Sequence, residues 1–250
     1  MQRKAVAATI AAVALSTGGC SAMADQLDRR DGHQARSVER PEDSSPTLLA
    51  TRQWGVVDGL LSVVVQNVSD RTLRYAAASI TARTEKDEIV VASLASHTAC
   101  CEIVDLAPGA VYGFYLDVGD RGNDIAEVGV GYRNFSWAPV GEVPPAATEI
   151  RAKPLRIVQD ADGVVVRAVL VSDRPREEVI AQAFLTDGRG EFLAVVSGRW
   201  SCLTVGRRVI DMELFHALPA GARVDRVVAH PVSDDPTRES PDCLSSGAER

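Results

Sequence analysis

The sequence predicts an all-β protein built from two tandem β-sandwich domains, and three observations lead to this prediction. Short runs rich in β-branched residues alternate with turn signals along residues 48–137. The same order of runs and turns recurs along residues 150–232. Between the two blocks, residues 138–149 are rich in proline and contain no strand pattern, which is typical of a stiff linker.

The N-terminal segment has the pattern of a secretory signal peptide. Arg3 and Lys4 precede an apolar run over residues 5–15, and small residues follow it. A membrane-spanning helix needs about 20 apolar residues, so this run is too short to span a bilayer. The sequence therefore predicts a protein that works outside the cytoplasm.

The end of this signal resembles the lipobox of bacterial lipoproteins. Residues 17–20 read TGGC, although the family usually carries Leu where Thr17 stands. The resemblance covers about the first 22 residues and implies a signal peptide over residues 1–19, with Cys20 diacylated at the extracytoplasmic face of the cell membrane. The alternative is cleavage after the A-x-A-like residues 22–24, which predicts a secreted protein.

Polar segments flank the predicted domains. Residues 20–47 contain few apolar side chains after the cysteine and predict a lipidated N-terminus followed by a disordered spacer. Residues 233–250 predict a polar C-terminal tail. Net charge falls from −7 to −9 when Arg3 and Lys4 are removed. An acidic chain argues against nucleic acid and against anionic lipid headgroups as partners.

Seven strands are predicted in the first block, in the density expected of a sandwich. Asp58 and Gly59 form a hairpin turn signal between the first two, and residues 108–109 form a Pro-Gly turn. From Tyr112 to Leu116 large apolar side chains occupy every second position, as in a strand with one face in a core. The predicted strands are 48–57, 60–67, 73–84, 88–94, 101–106, 110–118 and 125–133.

The second block repeats the first. Residues 162–163 again read Asp-Gly, and the VSDR of residues 171–174 matches residues 68–71 at an offset of 103 positions. The predicted strands are 164–170, 178–187, 191–197, 201–205, 207–215 and 223–232. The run VVVQNVSDRTLRYAAASITA followed by LAPGAVYGFYLDV resembles FxLyD-type immunoglobulin-like modules of bacterial envelope proteins. The resemblance implies immunoglobulin-like sandwiches and carries no catalytic residues across.

Four cysteines follow the signal segment, and outside the cytoplasm an even number favours disulfides. Cys202 and Cys243 share the second half of the chain, so we predict a bond between them that draws the tail onto the second sandwich. Cys100 and Cys101 could form a strained vicinal bridge, or one of them could pair across the two domains. Sequence does not choose among the three connectivities.

His97, Cys100 and Cys101 also offer a soft donor set for Cu(I) or Zn²⁺. Adjacent cysteines on a strand point to opposite faces, so their sulfurs do not converge on one ion, and disulfides are the preferred interpretation.

No nucleophile–base pair, phosphate loop or other catalytic motif is present, so the sequence predicts a protein that is not an enzyme and needs no cofactor. Its parts indicate an envelope-anchored binding or scaffold protein whose partner is an envelope protein or a wall polymer. The predicted recognition loops are those of Asp70 and Asp173, because sandwich loops vary without disturbing the core. The alternative is an extracytoplasmic lipoprotein that handles Cu or Zn through His97, Cys100 and Cys101.

Overall fold

The computed structural model describes residues 48–93, 101–139, 150–159 and 163–232, and most of these residues lie in antiparallel strands. The predicted signal peptide, spacer and tail, and most of the linker, lie outside the described residues. The strands are β1 (Leu49–Val57), β2 (Leu60–Asn67), β3 (Leu73–Arg83), β4 (Ile89–Ser93), β5 (Glu102–Leu106), β6 (Val111–Asp117), β7 (Glu127–Trp137), β8 (Arg151–Gln159), β9 (Val164–Ser172), β10 (Arg176–Thr186), β11 (Phe192–Leu203), β12 (Gly206–Leu214) and β13 (Arg223–Pro231). A 3-10 helix spans Gly119–Asp124.

The strands form four sheets, two in each half of the chain. In the first half, β1-β2-β6 form one sheet, and β3 pairs with β4, β5 and β7 in another. In the second half the sheets are β12-β9-β8 and β11-β10-β13. Every pairing is antiparallel, so the predicted all-β fold is confirmed.

Strand positions in the first half agree closely with the sequence prediction, and the second half differs in two places. β8 was not predicted, because Pro154 and the charged residues around it hide a strand pattern. Proline is tolerated there since β8 is an edge strand with a bulge between Pro154 and Arg156. β11 replaces two predicted strands with one, continuing through Gly198.

Each half has an apolar core between its two sheets. The core of the first half is centred on Leu61, Val63, Ile80 and Ile103. In the second half, Val166, Leu170, Leu185 and Met212 fill the equivalent space. The hairpin predicted at Asp58 is present: Asp58 and Gly59 have φ of 47° and 73°, as a tight turn between two strands requires.

The two halves meet where sheet β1-β2-β6 packs face to face on sheet β11-β10-β13, an interface that we call the seam. Val64 of β2 packs there against Phe184 and Val195. Gly113 makes the close approach possible, because a Cβ atom on it would lie 2.6 Å from both Cγ atoms of Val195. Residues Pro46–Arg250 cluster as one compact unit. The prediction that each half is an independent domain stays a prediction.

Candidate functional site

A cleft of about 360 Å³ opens along the seam. Its walls come from the start of β5, the edge strand β6, and strands β10 and β11 of the other half. The residues lining it are Cys101, Glu102, Val104, Tyr112, Gly113, Phe114, Tyr115, Ile180, Gln182, Ser197 and Arg199. Because both halves contribute, the cleft exists only while the seam is closed.

Gln182 lies at the floor of this cleft, where its side-chain amide bonds the backbone of β6 along the edge that pairs with no other described strand. The N–H of Gly113 donates to Gln182 Oε1 at 2.8 Å, and Gln182 Nε2 donates to the Gly113 carbonyl at 2.7 Å. The side chain is only 1% exposed. An edge strand leaves backbone groups unpaired, and a buried amide side chain satisfies one donor and one acceptor at once. Gln182 therefore holds the two halves in register.

His230 makes a parallel contact one step along the same edge. Its Nε2 donates to the Val111 carbonyl at 3.0 Å, so the neutral ring carries its proton on Nε2. Burial lowers the pKa of His230 to about 4, against the weaker opposing effect of the bond to Val111. The ring also lies 5.9 Å from that of Tyr112, and burial raises the pKa of the Tyr112 hydroxyl to about 12. Both groups are neutral around pH 7.

The rim of the cleft is polar and partly exposed. Tyr115 is 41% exposed, and its hydroxyl lies 3.5 Å from Ser197 Oγ. Arg199 pairs with Glu178, with 3.3 Å between Nη1 and Oε1. On the opposite wall the Tyr75 hydroxyl donates to Glu102 at 2.9 Å. These partners orient an aromatic ring, a guanidinium and a carboxylate at the mouth of the cleft.

The predicted recognition loops are fixed by local hydrogen bonds. Asn67 is buried, and its side chain bonds the backbone of Ser69, Arg71 and Leu106. Ser69 Oγ donates to the carbonyl of Arg71 at 3.0 Å, and Ser172 Oγ makes the equivalent bond in the second half at 2.6 Å. Serine in the repeated VSDR motif therefore stabilises a turn.

Asp70 and Asp173, the acids of these two loops, are both exposed. Neither lines the seam cleft. The role predicted for them in recognition is untested.

Of the predicted cysteine and metal residues, Cys101 and Cys202 are described. Both are disulfide-bonded. Cys101 is buried, with its sulfur 3.5 Å from Ser93 Oγ. Cys243, the predicted partner of Cys202, lies outside the described residues, as do Cys100, His97 and Cys20. The Cys202–Cys243 pairing therefore stays a prediction, and the partner of Cys101 stays open. A disulfide sulfur has no thiolate to give to a metal ion. Within the described ranges, no three His, Cys, Asp or Glu side chains converge as a metal site.

The residues that build the cleft were missed at the sequence level, although a signal for two of them was present. β2 and β10 contain apolar runs, residues 60–65 and 179–185, and each run is interrupted by a single polar residue, Ser62 or Gln182. Continuous runs indicate strands buried on both faces, and a lone polar residue in such a run needs a buried partner. Ser62 Oγ accepts the N–H of Val195 at 3.0 Å across the seam. Tyr115 and Arg199 had no comparable signal.

Comparisons with known proteins give no family for this chain. The sequence matches no protein-family profile and no curated protein. Among solved structures, a DUF4785 family protein from Legionella pneumophila aligns over 74% of this chain and 52% of its own, at 10% identity and a TM-score of 0.27. The C-terminal globular domain of an oligosaccharyltransferase from Pyrococcus abyssi aligns over 71% and 42%, at 13% identity and a TM-score of 0.19. The chain thus spans about half or less of each.

The described residues contain no helix long and apolar enough to cross a membrane.

Proposed function

We propose that this protein is a non-enzymatic recognition protein of the cell envelope that binds its partner in the seam cleft. The observation that carries the proposal is the mouth of the cleft, where Tyr115, Arg199 and Glu102 are held by neighbours and still reach solvent. A concave site with an aromatic surface and a few oriented polar groups is the usual form of a binding site.

The chemistry at the cleft favours binding over turnover. Gln182 uses its amide on the backbone of Gly113, and His230 uses Nε2 on the carbonyl of Val111. Tyr112 is held neutral by burial. Gln182 and His230 are therefore engaged in holding the seam together, and Tyr112 stays protonated. Partners of this description include an envelope protein or a wall polymer, whose hydroxyl and amide groups would bond the polar rim.

The signal segment supports an extracytoplasmic location for this activity. A diacylated Cys20 would hold the protein on the extracytoplasmic side of the cell membrane, and residues 21–47 would separate the folded part from the bilayer. Cleavage after Ala24 instead would make it a secreted protein with the same cleft.

Site-specific photo-crosslinking in intact cells tests this proposal. The photoreactive residue p-benzoylphenylalanine replaces Tyr115 at the cleft, or Phe135 as a control that is also exposed, at 51%, but lies on β7 away from the cleft. We expect an ultraviolet-dependent adduct from position 115 alone, and we expect Arg199→Ala to reduce its yield several-fold. Equal adducts from both positions, or none from position 115, would remove the cleft as the binding site.

A further inference from the structure

The outward side of sheet β12-β9-β8, which we call the outer face, is the second half's counterpart of the surface buried in the seam. The offset of 103 residues places Arg167 where Val64 stands in β2. The neighbouring strand carries Asp211 opposite Arg167, where Gly113 lies opposite Val64. Arg167 and Asp211 form a bidentate pair at 2.7 and 2.6 Å. Burying this ion pair under a second sheet would cost desolvation free energy, which disfavours the close packing that Val64 and Gly113 allow in the first half.

The outer face is basic although the whole chain is acidic. Strand register aligns four rows of side chains across β8, β9 and β12. They contain five cations and two carboxylates, against a net charge of −7 for the chain. The rows are Arg151–Val171–Arg207, Lys153–Val169–Val209, Arg156–Arg167–Asp211 and Val158–Val165–Glu213.

Exposed apolar side chains lie among these cations. Leu155, at the bulge of β8, is 46% exposed, and Val209 is 51% exposed. Phe215 continues the outward alternation of β12 immediately after its last residue and is 79% exposed. Cationic side chains around protruding aliphatic and aromatic groups are the composition of surfaces that lie on anionic bilayers, where the cations meet headgroups and the apolar groups enter the interface.

We propose that the outer face docks on a bilayer surface rich in anionic phospholipid. Charge complementarity identifies this occupant, because cations outnumber carboxylates five to two on this face although the net charge of the chain is −7. The exposed apolar groups favour a lipid interface over a soluble polyanion, which offers no apolar environment. This binding is independent of the seam cleft, and it departs from the expectation, based on net charge, that anionic lipid headgroups are not partners.

Vesicle co-sedimentation tests the proposal on the full exported chain carrying Cys20→Ala, so that no acyl chain contributes. The probes are phosphatidylcholine vesicles with and without an equal amount of phosphatidylglycerol. We expect binding only to the anionic vesicles, decreasing as NaCl is raised. The double change Arg151→Glu and Lys153→Glu should weaken binding at least about 25-fold, since each cation near such a surface contributes roughly fivefold.

Two further variants make the result specific. Arg121→Glu with Arg133→Glu changes net charge equally on exposed sites of the first half and should bind like the parent. Val209→Asn with Phe215→Ser should weaken binding while leaving its salt dependence, because it removes apolar contacts alone.

Three results would overturn the proposal. The first is no binding to anionic vesicles, or equal loss in the Arg121 and Arg133 control. The second is self-association of the parent that the Arg151 and Lys153 changes abolish, which would make a second copy the occupant. The third is binding that appears only after Asp234→Asn and Asp235→Asn, which would make the acidic segment after Val232 the occupant.

Discussion

At the scale of single residues, two side chains hold the seam by completing the edge of β6. Gln182 bonds Gly113, and His230 bonds the Val111 carbonyl. Buried backbone groups that lose their partners destabilise a protein by about 1–3 kcal/mol each. Both residues belong to the second half and bond the backbone of the first half, so they stabilise the seam.

His230 makes the stability of the protein dependent on pH. The pKa of the ring falls from 6.5 to about 4 on folding, so between these values the unfolded chain binds more protons than the folded one. The stabilisation is complete above pH 6.5 and is lost as the pH falls toward 4, by up to about 3 kcal/mol.

Urea unfolding measured from pH 7 to pH 4 should show this loss of unfolding free energy. In His230→Gln the acid-dependent loss should shrink by most of that amount. His216→Gln, which removes a histidine that contacts the Asp58 turn, should keep the loss because His230 is intact. An unchanged slope in His230→Gln would show that another group is responsible.

At the scale of elements, the sequence predicted most strands and the alternation of their side chains, but it did not predict which strand faces pack against a second sheet. Alternation from Tyr112 to Leu116 correctly predicted which face of β6 enters the core. The opposite face, with Gly113 and Tyr115, became the seam and cleft. In β6, nothing in the local sequence distinguishes a face turned to solvent from one turned to a second sheet. The apolar runs of β2 and β10, which are typical of strands buried on both faces, were the one available signal.

The packing of β6 on β11 predicts a large effect of Gly113→Val. Its added methyl groups would overlap Val195 and force the two sheets apart, which should lower the unfolding free energy by about 2 kcal/mol or more. Gly129→Val is the matched control on β7, where the nearest atom to an added Cβ is 3.9 Å away, and it should change stability by less than about 0.5 kcal/mol. Chemical denaturation measures both, and equal effects would contradict close packing at the seam.

At the scale of the whole molecule, the two halves differ in which of their sheets is covered, and this difference accounts for the candidate sites. One sheet of the first half is covered by the second half, which creates the cleft. Its counterpart, the outer face, carries the ion pair of Arg167 and Asp211 instead. The offset of 103 residues matches Arg167 to Val64 in the sequence, but the consequence of this difference is visible only from the positions of the sheets.

Differential scanning calorimetry of the whole chain tests the seam most directly, because two halves joined by buried contacts should unfold together. We predict a single transition in which the calorimetric and van't Hoff enthalpies agree. Two resolved transitions, or a calorimetric enthalpy about twice the van't Hoff value, would show that the halves unfold independently and would contradict the account of the seam and its cleft.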